Sequence, residues 1–185
     1  MKKSVQVLLL LTLYWYNGSA QDSLAVDSVK KVLNSRYEAL SKAMDERNLE
    51  QILSFRTGDF HAVGPDGRIL DYPTMKEYSK QFITNNIPPY NTKNTILRLR
   101  VSDHKMVAVA DVLQESTRKR ELLGKVREVT TSVLQTETWI YVSKEWKLKL
   151  VDNVHEQKRY VDGKRVDPTK PYNPKDPPYD PERKN

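Results

Sequence analysis

The chain has 185 residues, no cysteine, and 31 Lys and Arg against 24 Asp and Glu, a formal net charge of +7. Absence of cysteine excludes disulfides and thiolate chemistry, so the fold relies on its core. The positive excess is modest and dispersed, unlike the basic stripe with interleaved aromatics that nucleic-acid binding requires, and no nucleic-acid partner is expected.

Lys2 and Lys3 form a positive n-region, Val5 to Leu13 an apolar h-region, and Gly18-Ser19-Ala20 supplies the small residues of a signal-peptidase site. Residues 1–20 are expected to be a signal peptide cleaved near Ala20/Gln21, and the protein to be exported, periplasmic or secreted. The apolar run is shorter than the roughly 20 residues of a membrane span. No later run approaches that length, so no membrane anchor is expected. Without Lys2 and Lys3 the mature chain keeps 29 basic residues (31 less two) against 24 acidic, a charge of +5. About 165 residues suit one domain with a sizeable core.

Val29, Leu33, Tyr37, Leu40 and Met44 recur in steps of three and four, the period of a helix with one buried stripe. Lys30, Lys31, Glu38 and Lys42 fall on its wet side. Asn48 is placed to cap a second helix over Leu49–Phe55. A strand from Asp59 to Val63 and a turn at Gly64-Pro65-Asp66-Gly67 follow. A third helix is expected from near Pro73, where Thr74-Met75-Lys76-Glu77 has capping-box spacing, with Met75, Tyr78, Phe82 and Ile83 on its apolar side.

After Pro89 the composition turns β-branched and aromatic, giving strands over Thr95–Val101, Met106–Leu113, Val126–Val142 and Lys147–Val154. A bulge is expected inside the long third run. Arg118-Lys119-Arg120 is expected in a solvated hairpin tip. Helices followed by a meander give an α+β class: a cone-shaped curved antiparallel sheet wrapped around three N-terminal helices, over residues 21–157. Asp162-Gly163 marks a small C-terminal hairpin at 158–166. Residues 167–185 carry six prolines and little to bury, and are expected to be a mobile tail.

The helix bearing Tyr37, the Leu49–Phe55 helix, Gly58-Asp59-Phe60 through Gly67, and the pair Thr136–Tyr141 with Glu145–Leu148 together resemble the nuclear transport factor 2-like superfamily, within it the SnoaL-like group. The resemblance covers roughly residues 24 to 155 and implies a cone with an apolar cavity at its open end. That superfamily includes ketosteroid isomerases, whose chemistry needs a carboxylate base, a tyrosine and a protonated carboxylic acid. By the resemblance the tyrosine matches Tyr37, while the base position falls on Gly64 and the second acid on Thr138. With two of three parts missing, isomerase activity of that kind is not expected.

The candidate catalytic groups are Tyr37, Asp152 and Asp66. Tyr37 is open to two readings, a core tyrosine tied to a neighbour or a donor into the cavity. Asp152 continues the Trp146, Leu148, Leu150 face toward a strand end. Alternation puts Phe60 and Ala62 inward on one strand and Thr136, Thr138 and Ile140 inward on another. With Tyr37 and Phe82, these five form the expected pocket lining. Glu137, Trp139 and Tyr141 are then the outward face, expected to pair two copies as a homodimer. His61, His104 and His155 lie apart in sequence, so neither a metal nor another cofactor is expected. The leading expectation is a non-catalytic domain that binds a small apolar ligand or serves as a dimerisation scaffold. The alternatives are a lyase or isomerase acting on a carbonyl compound, and an envelope interaction module using the proline-rich tail.

Overall fold

The computed structural model describes residues 25–182 apart from positions 65, 103 and 105, and the expected signal peptide lies outside the described residues. Helix α1 spans residues 25–45 and α2 spans Leu49–Ser54. Strands β1 (Arg56–Val63) and β2 (Ile69–Asp71) lead into α3 (Tyr72–Asn85). Then come β3 (Asn86–Ile87), β4 (Thr92–Val101), β5 (Val107–Leu122), β6 (Lys125–Val142), β7 (Glu145–Val161) and β8 (Lys164–Val166). The class is the expected α+β. Helices lie against one face of an unclosed eight-stranded sheet ordered β2-β1-β7-β6-β5-β3, with β4 paired to β5 and β8 to β7. One pairing departs from the expected antiparallel pattern: β1 runs parallel to β7.

The helix stripe forms as its period requires. Val29, Leu33 and Tyr37 are buried, and they meet Phe60, Ile96, Trp139, Trp146 and Leu148 of the sheet in one core cluster. Asn48 caps α2, its Oδ1 accepting from the Gln51 N–H at 3.1 Å. The start of α3 differs from the expected capping box. Asp71 is the cap, and its Oδ1 accepts from the Thr74 N–H at 3.0 Å. The cap fixes where α3 begins. Asp71→Ala is expected to destabilise α3, visible as a lower urea midpoint at unchanged m-value.

Two strands, β5 and β7, run well past their expected ends. Polar residues after Leu113 still alternate and still pair, so β5 continues to Leu122 against β6. Arg118-Lys119-Arg120 is therefore inside a strand and not at a solvated tip. The actual turn is Leu123-Gly124, with φ of 53° and 72°. Ser143-Lys144 and Asp162-Gly163 make two further hairpins with a like pair of positive φ values, the geometry that matches strand twist.

The expected bulge also lies elsewhere. Pairing of β6 with β7 shifts register three times, and each time the extra residue is on β7. Thr138 pairs Leu150 while Trp139 pairs Leu148, which leaves Lys149 extra; the other two shifts accompany the positive φ of Asn153 and Glu156. A shift of one residue moves all later side chains to the opposite face. Val151, not Leu150, is therefore in the core.

The proline-rich segment is held to the sheet through the part described. Arg159 donates to the carbonyls of Asp167 and Lys170, both at 2.6 Å, and the Tyr179 N–H donates to the Arg165 carbonyl at 3.0 Å. Arg127 lies over the Tyr172 ring at 5.4 Å and Arg165 over Tyr179 at 5.8 Å. Tyr172 also packs on the small cluster of Val129, Val161 and Val166.

Candidate functional site

The interior of the sheet is built around a carboxyl group. On β6, Gln135, Glu137 and Trp139 share the inner face, and their β5 partners are small: Ala110 opposes Glu137 and Ala108 opposes Trp139. Both alanines are fully buried, and the space they leave admits a large indole and an acid beneath α1. Glu137 is 2% exposed and Trp139 1%. Tyr37 reaches down from α1, 6% exposed, its ring edge-on to Trp139 at 5.6 Å and 87°.

Every carboxyl oxygen of Glu137 has a donor. The Tyr37 hydroxyl donates to Oε2 at 2.6 Å, Trp139 Nε1 donates to the same oxygen at 2.9 Å, and Gln135 Nε2 donates to Oε1 at 2.7 Å. Burial pushes the Glu137 carboxyl above the usual carboxylate range, opposed by those three hydrogen bonds and by the charge of Arg56. The Tyr37 hydroxyl is pushed up as well, first by burial and then by Glu137. A group this enclosed and this fully bonded holds α1 to the sheet. It has no open side on which a substrate proton could be taken.

This arrangement corrects the expected faces of β6. Glu137 and Trp139 point into the core, so they offer no surface to a second copy, and Tyr141 lies at the strand end, its ring 5.6 Å from that of Trp146 and tilted by 56°. Thr136, Thr138 and Ile140 are half-buried on the opposite face. The physical reason is volume and charge: the larger set fits over Ala108 and Ala110, and the acid among it is matched by three donors. Relative to the resemblance, an acid does meet Tyr37, but one residue before Thr138. The signal present in the sequence was the tryptophan flanked by that Glu and Gln at spacing two.

The expected pocket lining is divided among three places. Tyr37, Phe60 and Ala62 belong to the packed core. Thr136 lies on the outer face, where its hydroxyl donates to Asp111 at 3.1 Å beside the Arg98–Asp111 ion pair. Phe82 lies in a separate groove. Asp152 pairs across from Thr136 and shares that outer face, since the bulge at Lys149 reverses the alternation. Asp66 is in the exposed β1–β2 turn, where the Arg68 N–H and guanidinium hold its carboxyl below the usual range. Neither acid meets Tyr37.

The groove holding Phe82 runs between the helices and the far half of β5, with a volume of about 470 Å³. Leu40 and Met44 of α1, Ile52 of α2, and Met75, Phe82 and Ile83 of α3 make its apolar walls. Its polar lining is Tyr78, Ser79, Gln81, Asn85, Asn86 and Gln114, with the guanidinium groups of Arg56, Arg118 and Arg120. Such a volume and such a mixture suit a small-molecule site, typically about 300–1,000 Å³. Arg118 and Arg120 were missed in the sequence because β5 was expected to have ended before them.

No protein-family model matches the sequence, and no curated protein sequence does. Solved structures do resemble the fold. A proposed scytalone dehydratase from Novosphingobium aromaticivorans superposes with a TM-score of 0.60 at 11% identity, over 73% of this chain and 89% of its own. A proposed dehydratase of the nuclear transport factor 2-like family from Streptomyces avermitilis gives 0.53 at 14%, over 69% and 95%. A ketosteroid isomerase-like protein from Erwinia carotovora gives 0.50 at 13%, over 66% and 92%. The chain has the nuclear transport factor 2-like fold, and at these identities the likeness extends to fold alone.

Proposed function

We propose that this protein is an exported, non-catalytic domain that binds a small, largely apolar molecule in the groove between α1, α3 and β5. The observation that carries this reading is the groove's chemistry: among the described residues its lining has donors and amides but no carboxylate or imidazole. Proton transfer on a carbonyl compound needs a group able to take a proton near neutral pH, and arginine does not supply one. The acid that accompanies Tyr37 is sealed in the core. The dehydratase and isomerase-like names of structurally similar proteins belong to those proteins. Among the described residues no helix is long and apolar enough to cross a membrane.

Binding is tested with N-phenyl-1-naphthylamine, an uncharged probe that fluoresces in apolar sites. Saturable binding at one site per chain is expected. Ser79 is buried where α3 lines the groove, so Ser79→Phe fills that space and is expected to weaken probe binding at least tenfold with the circular dichroism spectrum retained. Probe binding that is unchanged in that variant would place the ligand elsewhere.

A further inference from the structure

The inner face of the sheet's far half is basic. Arg120 on β5 pairs with Arg127 on β6, and Arg118 lies close enough to Arg120 and Arg159 to feel both charges. Two of these four arginines are answered by other parts of the chain. Arg127 meets Asp162 Oδ2 at 2.6 Å, and Arg159 meets the two tail carbonyls.

The arginines at the groove are not answered in this way. Arg118 donates to Asn86 Oδ1 at 3.0 Å and Thr131 Oγ1 at 3.1 Å, both neutral, and lies 5.2 Å over the Phe82 ring. Arg56 donates to the Ile52 carbonyl at 3.2 Å, and its Nε is buried with no partner. The Nε of Arg120 is likewise buried and unpartnered, as are those of Arg127 and Arg159, so what sets the groove arginines apart is the missing counter-charge. Among the described residues none of the three forms an ion pair with an acid. Glu137 acts on Arg56 from beyond contact, and burial favours its neutral form.

Partly buried cations without a counter-charge are costly to hold. The cost is visible at Arg118, pushed down to about 10 by burial and then by the neighbouring Arg120 and Arg159. An anion in the groove would supply the missing partner. A guanidinium fork matches a carboxylate by two parallel hydrogen bonds. The walls on the helix side are apolar. Head and tail of one ligand class are thus both specified.

We propose that the groove binds an amphiphilic carboxylate, its head on Arg118, Arg120 and Arg56 and its chain along Leu40, Met44 and Phe82. This rests on the groove being the ligand site, and names the class of ligand that the site takes. Arg120 is the cleanest position to alter, because among the described residues its side chain makes no hydrogen bond and its backbone pairing in β5 is kept. Arg118 is the second; its loss removes the donor to Asn86 Oδ1, which is 2% exposed, and to Thr131 Oγ1, so the circular dichroism spectrum of Arg118→Gln is recorded alongside.

The experiment is isothermal titration of the mature full-length chain with decanoate and with decan-1-ol, its neutral counterpart of equal length. Decanoate is expected to bind at least tenfold more tightly than decanol. Arg120→Gln and Arg118→Gln are each expected to cut decanoate affinity about tenfold, equivalent to about 1.4 kcal/mol, with decanol affinity unchanged. Equal binding of the two probes by the unaltered protein overturns the carboxylate assignment and leaves the groove as a neutral site. Decanoate affinity that survives both substitutions overturns the arginine assignment. Binding of neither probe removes the groove reading itself.

Discussion

Glu137→Ala is expected to lower the unfolding free energy by about 3–5 kcal/mol, because it strands two buried donors and a half-buried one at once. The Tyr37 hydroxyl, Trp139 Nε1 and Gln135 Nε2 all converge on that carboxyl. Glu137→Gln keeps the shape and an accepting oxygen, but turns an amide toward Gln135, and is expected to cost about 1–2 kcal/mol at neutral pH. The two variants separate lost hydrogen bonds from lost charge.

The charge has a pH signature of definite sign. The native Glu137 carboxyl is raised above its ordinary value of 4.5 by burial. Between those two values the folded state holds more protons than the unfolded one, so its contribution is complete below the ordinary value. It is lost as pH rises through the raised native value, and then levels off. The stability difference between the unaltered protein and Glu137→Gln is therefore expected to shrink from pH 4 to pH 8 in urea denaturation. Taking the difference cancels the exposed aspartates, whose shifts run the other way. A difference that grows with pH would mean that the three donors hold the carboxyl as an anion against burial.

Trp139→Ala is expected to be as damaging, about 3–5 kcal/mol, the range for emptying a buried tryptophan site. The same residue on an exposed sheet face would cost less than about 0.5 kcal/mol. Light scattering on this variant is expected to give the subunit count of the unaltered protein, since Trp139 contributes no outer surface. Small loss of stability together with a changed subunit count would return Trp139 to an interface between copies.

The contrast between these outcomes also marks where the sequence was legible. The stripe Val29, Leu33, Tyr37 and the Asn48 cap could be placed because a helix has one period and one starting signal, both local. Phe60 and Ala62 were placed inward because one member of the alternating set is a large apolar ring. On β6 alternation offered two comparable sets, Gln135-Glu137-Trp139-Tyr141 and Thr136-Thr138-Ile140, and local sequence did not rank them. The deciding facts were distant: Ala108 and Ala110 across the ladder, and a tyrosine 100 positions away supplying a hydrogen bond. The groove was hidden for a related reason. Two of its three cations, Arg118 and Arg120, lie in a polar stretch of β5 that propensity assigns to a loop and that pairing with β6 keeps extended.

Odd and even numbering behaves in β7 like a frame that is shifted three times. Trp146 and Leu148 are inward as even positions, Val151 as an odd one, Val154 as even again, and Val161 as odd. Leu148 and Asp152, two residues of the same parity, end on opposite faces for this reason. An alignment of relatives across this strand has physical meaning only if its gaps fall at the three extra residues. A gap placed elsewhere would pair core positions with solvent positions, and would make an ordinary packing residue look like a vacated catalytic one.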